Sequence, residues 1–119
     1  MTETLLAEIN RTAERQSVPV LFVTIPFKEQ VHGAMREAWV KQLPPPAGRV
    51  YDFDRPETRF ADVYTRQRLH FVNLLDPLRR AASPDSGPLY LDPDGHWNAR
   101  GHAVVAEILE EPVGELLRR

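Results

Sequence analysis

Cysteine is absent from this chain, which excludes disulfides, thiolate nucleophiles and cysteine-ligated zinc and leaves the redox compartment unmarked. Long apolar runs are absent as well. The stretch from Val18 to Ile25 falls far short of the roughly 20 residues that a membrane-spanning helix needs. Charge of one sign is also lacking: the formal net charge is −2 over 119 residues. No long-range field gathers phosphates, so neither nucleic acid nor an anionic membrane surface is expected as a partner. The first residues, Met1 to Glu8, carry acids where a signal peptide carries a basic and then an apolar segment. A soluble, non-exported chain is expected, with its compartment otherwise unassigned. An apolar fraction of 42% with 27% charged residues fits one globular domain with a single core.

Leu5, Leu6, Ile9 and Ala13 recur at helical spacing and predict an amphipathic helix of about four turns, with Thr2 near its cap. Val18 to Ile25 is continuous, largely β-branched and closed by Pro26, which predicts a strand covered on both faces. Val31, Ala34, Met35, Ala38, Trp39 and Leu43 predict one helix from Lys28 to Leu43, ended by a stiff connector, Pro44-Pro45-Pro46. Gly48 to Phe53 reads as a short extended segment, and Pro56 as the first turn of a helix carrying Phe60, Ala61, Val63 and Tyr64. His70 to Leu75 predicts a second buried strand, followed by a short helix from Leu78 to Ala82 with Asp76 as its cap. Ser83 to Pro88 is a polar loop, and Leu89 to Leu91 a brief extended piece. A last helix from about Ala99 carries Val104, Val105, Ile108 and Leu109, with Pro112 expected to kink or interrupt it.

This alternation predicts an α/β fold with parallel strands and helices on both faces. Two convincing strands make a weak foundation, because sheet edges and faces stay uncovered. A helix feeding a buried strand is also half of a βαβ unit whose other strand would lie before residue 1, so the chain reads as beginning in mid-fold. Self-association or marginal stability is expected.

Reactive groups concentrate in Leu91-Asp92-Pro93-Asp94-Gly95-His96-Trp97-Asn98-Ala99-Arg100-Gly101-His102. Asp94 and His96 are two apart, so in a turn or extended segment the carboxylate can accept a hydrogen bond from the imidazole. An acid then orients a base, as a nucleophilic serine requires. Asn98 would cap the last helix, Trp97 anchor the loop, and Gly101 allow close approach of the first helical turn. The same stretch also reads as structure alone. Asp92-Pro93-Asp94-Gly95 is a good turn in any protein, and His102 fits a structural histidine. Asp92, Asp94, His96 and His102 have metal-ligand chemistry, but their spacing matches no closed site, and neither metal nor cofactor is expected.

The run from Leu89 to Glu107 resembles the C-terminal block of the SGNH, or GDSL-type, hydrolases. There the acid and histidine of a Ser-His-Asp triad precede a small-residue helix, in an Asp-Gly-His-hydrophobic-Asn phrase followed by Gly-His. The upstream order is similar to that family's second half, with a strand ending in Ile25-Pro26 and another ending in Leu74-Leu75 before Asp76-Pro77. The resemblance covers nearly the whole chain, and residues 89 to 107 carry its specificity. It implies a partial three-layer α/β/α, flavodoxin-like fold, with residues 1 to 119 either a single domain or the C-terminal part of one. It also implies His96 as general base and Asp94 as its orienting acid.

Pro93 stands where the commonest Asp-x-x-His spacing of the family would place its acid; Asp-x-His resembles the branch with polysaccharide O-acetyltransferases and acetylesterases. The family's Gly-Asp-Ser nucleophile block and its oxyanion-hole glycine and asparagine blocks have no counterpart here. Ser17, Ser83 and Ser86 lack the strand-turn-helix setting that activates a nucleophile, and Asn73 lacks the preceding glycine of an oxyanion donor. The expectation is a C-terminal portion of an ester hydrolase or acyltransferase that is inactive by itself. Its implied substrate is a small acyl ester or an O-acetylated carbohydrate. The alternative is an inactive α/β interaction module, or one completed by another chain.

Overall fold

The structure is a computed structural model that describes residues 2–44 and 50–118. Two short parallel strands lie at its centre, β1 (Phe22–Thr24) and β2 (Phe71–Asn73), paired Phe22 to Phe71, Val23 to Val72 and Thr24 to Asn73. Helices run in the order α1 (Thr2–Arg15), α2 (Lys28–Val31), α3 (Gly33–Val40), α4 (Arg55–Arg66), α5 (Leu75–Ala81) and α6 (Ala99–Leu117). The protein is mixed α/β, mostly helical, with a small parallel sheet.

Because strand side chains alternate, the register sends the phenylalanine pair to one face and the valine pair to the other. On the first face Tyr64 of α4 packs on Phe22, Phe71 and Phe60, with centroids 5.6, 5.0 and 5.9 Å apart. On the second face Val23 and Val72 pack against the main core of Val31, Leu74, Leu75, Leu78, Leu89, Tyr90 and Val105. Leu74, Leu78 and Leu89 are fully buried. The site-bearing hairpin and helix α6 belong to this second face.

Each strand is entered through the same turn. Val18 N–H donates to Ala13 C=O (3.0 Å) and Leu69 N–H to Tyr64 C=O (2.9 Å), closing α1 and α4 around Ser17 (φ 56) and Arg68 (φ 54). These are left-handed helix caps formed without glycine.

The sequence places the starts of α1, α4 and α6 within a residue or two. Elsewhere packing modifies it. Only Phe22–Thr24 and Phe71–Asn73 are paired within the two predicted strands, since a strand extends only as far as its neighbour does. The single helix expected from Lys28 to Leu43 is broken at His32 (φ −101, ψ 113), whose Nε2 accepts the Leu89 N–H at 3.2 Å; the break turns the ring toward the core. The helix expected from Leu78 starts at Leu75. Asp76 does not cap it: Leu74 stands at the N-cap, and Asn73 Oδ1, one residue before it, accepts the Leu75 N–H at 3.0 Å. Val50 to Phe53 forms no strand, and Pro45, Pro46, Gly48 and Arg49 lie outside the described residues. Pro112 does not interrupt α6, which continues to Leu117 with Ile108 and Leu109 of the preceding turn held against the core.

The accessible surface is 8466 Å², whereas a compact monomer of this mass exposes about 6,600 Å². The radius of gyration is 16.6 Å, against about 13.5 Å for a compact chain of this length. Helix α1 accounts for part of the excess. It buries no residue, leaves Leu5 and Ile9 more than half exposed, and is tied to α4 by Glu3, which meets Arg66 (3.2 Å) and Gln67 (2.9 Å). Among the described residues the sheet has two strands, so each offers its outer edge unpaired. None of the described helices is long and apolar enough to cross a membrane.

Candidate functional site

Residues 89 to 98 form a small hairpin rather than a single extended piece. Leu91 N–H donates to His96 C=O (2.7 Å), Asn98 N–H to Leu89 C=O (3.0 Å), and Tyr90 and Trp97 face each other in an antiparallel bridge. Gly95, at φ 79, makes the reversal possible, and its N–H donates to Leu91 C=O at 3.1 Å. The tip of this hairpin is the acid–histidine segment.

Asp94 holds His96 twice. One carboxylate oxygen accepts the His96 backbone N–H at 2.8 Å, and the other lies 3.2 Å from His96 Nδ1. The backbone hydrogen bond, followed by that of the ring, keeps the Asp94 carboxyl below its ordinary range. The carboxylate therefore orients the imidazole through Nδ1 and leaves Nε2 outward. Among the described residues no serine lies within hydrogen-bonding distance of that ring, and the His96 side chain is 82% exposed.

The loop is braced from below by a residue the sequence reading overlooked. Lys28 opens α2 just beyond the carboxyl end of β1, and its Nζ donates to Asp92 Oδ1 (2.7 Å) and Pro93 C=O (2.9 Å). The hydrogen bond to Asp92 raises the lysine pKa, so the clamp stays charged. Its position was the available signal, because sites in α/β folds gather at the carboxyl ends of strands. Tyr90 makes a second tie, donating its hydroxyl proton to Pro26 C=O at 2.8 Å; burial raises its pKa, and the Trp97 indole partly offsets this. Among the described residues, that buried indole Nε1 has no hydrogen-bond partner of ordinary geometry.

Behind the hairpin, the expected supports are in place. Asn98 caps α6 by accepting the Gly101 N–H (2.9 Å) while its amide donates to Pro88 C=O (2.8 Å). Trp97 packs against the core, and His102 meets it edge-on at 5.5 Å. Gly101 is buried directly over Leu89, in space too close for any side chain. Arg100 fastens the preceding loop by donating to Gly87 C=O (2.9 Å) and Ala81 C=O (2.8 Å).

The serines take no part. Ser83 and Ser86 hydrogen-bond to one another, Ser17 sits in the cap of α1, and Asn73 accepts the Leu75 N–H at the start of α5. Asp92 turns to Lys28, away from a role as a second acid. Among the described residues no three histidine or carboxylate side chains gather as a metal site.

The chain matches no family model, no curated protein and no solved structure. The site's chemistry rests on its geometry.

His32 supplies a measurable property of the support. Its Nε2 can accept the Leu89 N–H only when that nitrogen is unprotonated, and burial, followed by the charge of Arg100, lowers its pKa. A histidine that folds neutral binds fewer protons in the native state than in the unfolded one. Its contribution is present above the unfolded value of about 6.5 and is lost as pH falls below it. The urea midpoint is expected to drop between pH 7 and pH 5.5, and to drop less in His32→Gln, which keeps an acceptor without the titration. An equal drop in both proteins would assign the pH dependence to other groups.

Proposed function

We propose that this chain is the acid–histidine portion of an SGNH-type ester hydrolase or O-acyltransferase, built on a larger flavodoxin-like α/β/α sheet. The observation that carries the reading is the Asp94–His96 pair, with Nδ1 3.2 Å from the carboxylate and Nε2 open to an incoming group. In this reading a serine from another segment or chain loses its proton to Nε2 as it attacks the ester carbonyl. Asp94 holds the tautomer and stabilises the imidazolium, and His96 returns the proton to the leaving alcohol. Water or a second alcohol then releases the acyl-serine by the same route. The favoured substrate is a small acyl ester, an O-acetylated carbohydrate in particular. Two features support an absent covering element: a catalytic histidine works in a water-poor setting, whereas His96 is exposed, and the excess surface on this one chain is on the scale of one partner's share of a large obligate interface.

The polypeptide of residues 1–119 is expected to hydrolyse an aryl acetate with no His96-dependent component. A rate abolished by His96→Ala would place the nucleophile within this chain and overturn that part of the proposal. Coding sequence that continues in frame upstream into a Gly-Asp-Ser block supports a single enzyme. Co-purification of a serine-bearing partner supports assembly from two chains.

An inactive interaction module is the second reading, favoured by the uncovered apolar stripe of α1. Light scattering that finds a stable complex without esterase activity, and no serine labelled by a fluorophosphonate, would decide for it.

A further inference from the structure

One aromatic-walled cleft contains no residue of the acid–histidine hairpin. It is about 400 Å³ in volume and is walled by Phe27, Trp39, Tyr51 and Phe53, with Glu29, Gln30, Asp52 and Pro56 completing the lining. Trp39 and Phe53 meet at 75° with centroids 5.7 Å apart, forming a corner of two rings. Phe27 is 75% exposed, and Trp39 and Tyr51 are also open to solvent. Aromatic side chains this exposed are unusual unless something covers them.

The framework of the cleft is fixed by a buried glutamine. Gln30 Oε1 accepts the Phe27 N–H at 2.7 Å, while its amide donates to Phe53 C=O at 2.6 Å and to the buried carboxylate of Glu57. These bonds join the start of α2 to the segment leading into α4, so the two walls keep their spacing before any ligand arrives. They also consume the polar capacity of Gln30. The Tyr51 hydroxyl is likewise engaged, donating to Pro44 C=O at 3.0 Å. Asp52 uses one oxygen to accept the Asp54 and Arg55 amides (3.0 and 3.1 Å).

Among the described residues, the lining side-chain polar groups left to a ligand are therefore the carboxylates of Glu29 and Asp52. A sugar would find too few partners for its hydroxyls, and an anion would meet like charge. A cation with an apolar surface satisfies both the rings and the acids. Arg36 already illustrates the attraction, its guanidinium resting 5.4 Å from the centre of the Phe53 ring, and it does not line the cleft. Lys28, the nearest other cation in sequence, is engaged by Asp92.

We propose that this cleft binds a quaternary ammonium group through its aromatic walls, with Glu29 and Asp52 supplying the counter-charge. The inference stands independently of the acyl-transfer reading. Choline is the probe, and 3,3-dimethylbutan-1-ol, of the same shape without the charge, is the control. In proton–nitrogen correlation spectra the Trp39 indole is expected to shift saturably with choline. The alcohol is expected to bind roughly 5- to 30-fold more weakly, the range that a desolvated cation–π contact gives. Trp39→Ala, followed through the backbone amide of Phe53 in both proteins, should weaken choline binding at least about tenfold. Glu29→Gln with Asp52→Asn removes the charges while keeping hydrogen-bond acceptors, including the one that the start of α4 uses, and should weaken choline several-fold without weakening the alcohol. No saturable shift with choline, equal binding of the two probes, or choline affinity unchanged in the amide double variant would each overturn the proposal.

Discussion

Gly101→Ala is expected to destabilise the protein by about 3 kcal/mol, the scale of an overpacked core contact combined with a broken buried hydrogen bond. A β-carbon at this position would lie 2.2 Å from the Leu89 carbonyl oxygen and 3.1 Å from Trp97 Cβ. Neither neighbour is the free end of a long side chain. Leu89 is fully buried, and its carbonyl accepts the Asn98 N–H at 3.0 Å, while Trp97, half-buried, packs against the core. The helix must move away from the hairpin, which loosens the Asn98 cap and the rung between Leu89 and Asn98 together. The melting temperature should fall by about 10 °C.

Gly114→Ala provides the contrast on the same helix. There the added carbon meets Arg118 Nη1 at 3.1 Å, the end of a flexible side chain that can swing aside. Helix propensity then dominates, and a gain of up to about 1 kcal/mol is expected. Comparing urea midpoints of the two variants removes composition from the question. A Gly101→Ala protein within about 0.5 kcal/mol of the parent, the range of an ordinary surface substitution, would show that the hairpin does not seat on α6 as described.

What local sequence could reveal follows from where each interaction is encoded. Asn98 caps α6 through a residue three positions away, and α4 and α6 follow from the period of their own apolar residues, so these were legible. The facing of Asp94 and His96 was legible for the same reason, since two residues and a turn determine it. The site's supports were not. Lys28 reaches Asp92 across a separation of 64 residues, Gln30 joins Phe53 and Glu57, and His32 turns out of its helix to accept from Leu89, 57 residues away. None of these pairings leaves a local pattern. The return strand from His96 to Asn98 escaped notice because Trp97 and Asn98 read equally well as an anchor and a cap, which they also are.

The largest effect is expected on chemistry. On the proposed acyl-transfer reading, once a serine is supplied by another segment or chain, His96→Ala should lower kcat/KM for an acetyl ester by at least about 10⁴-fold, since the hydroxyl then has no base. Asp94→Asn should cost nearly as much, although the amide is of similar size. The amide oxygen of that variant could still accept the His96 backbone N–H and so preserve the turn, but the Nδ1 side would lose the negative charge that stabilises the imidazolium. The losses in His96→Ala and in the double variant with Asp94→Asn should be nearly equal, because the acid acts only through the base. Lys28→Met tests the bracing separately. It releases Asp92 and Pro93 without touching either reactive side chain, so a loss of about tenfold, smaller than that of the pair, is expected from misplacement of the loop. Additive losses at Asp94 and His96, or full activity in Asp94→Asn, would show that the carboxylate holds the turn and takes no part in proton transfer.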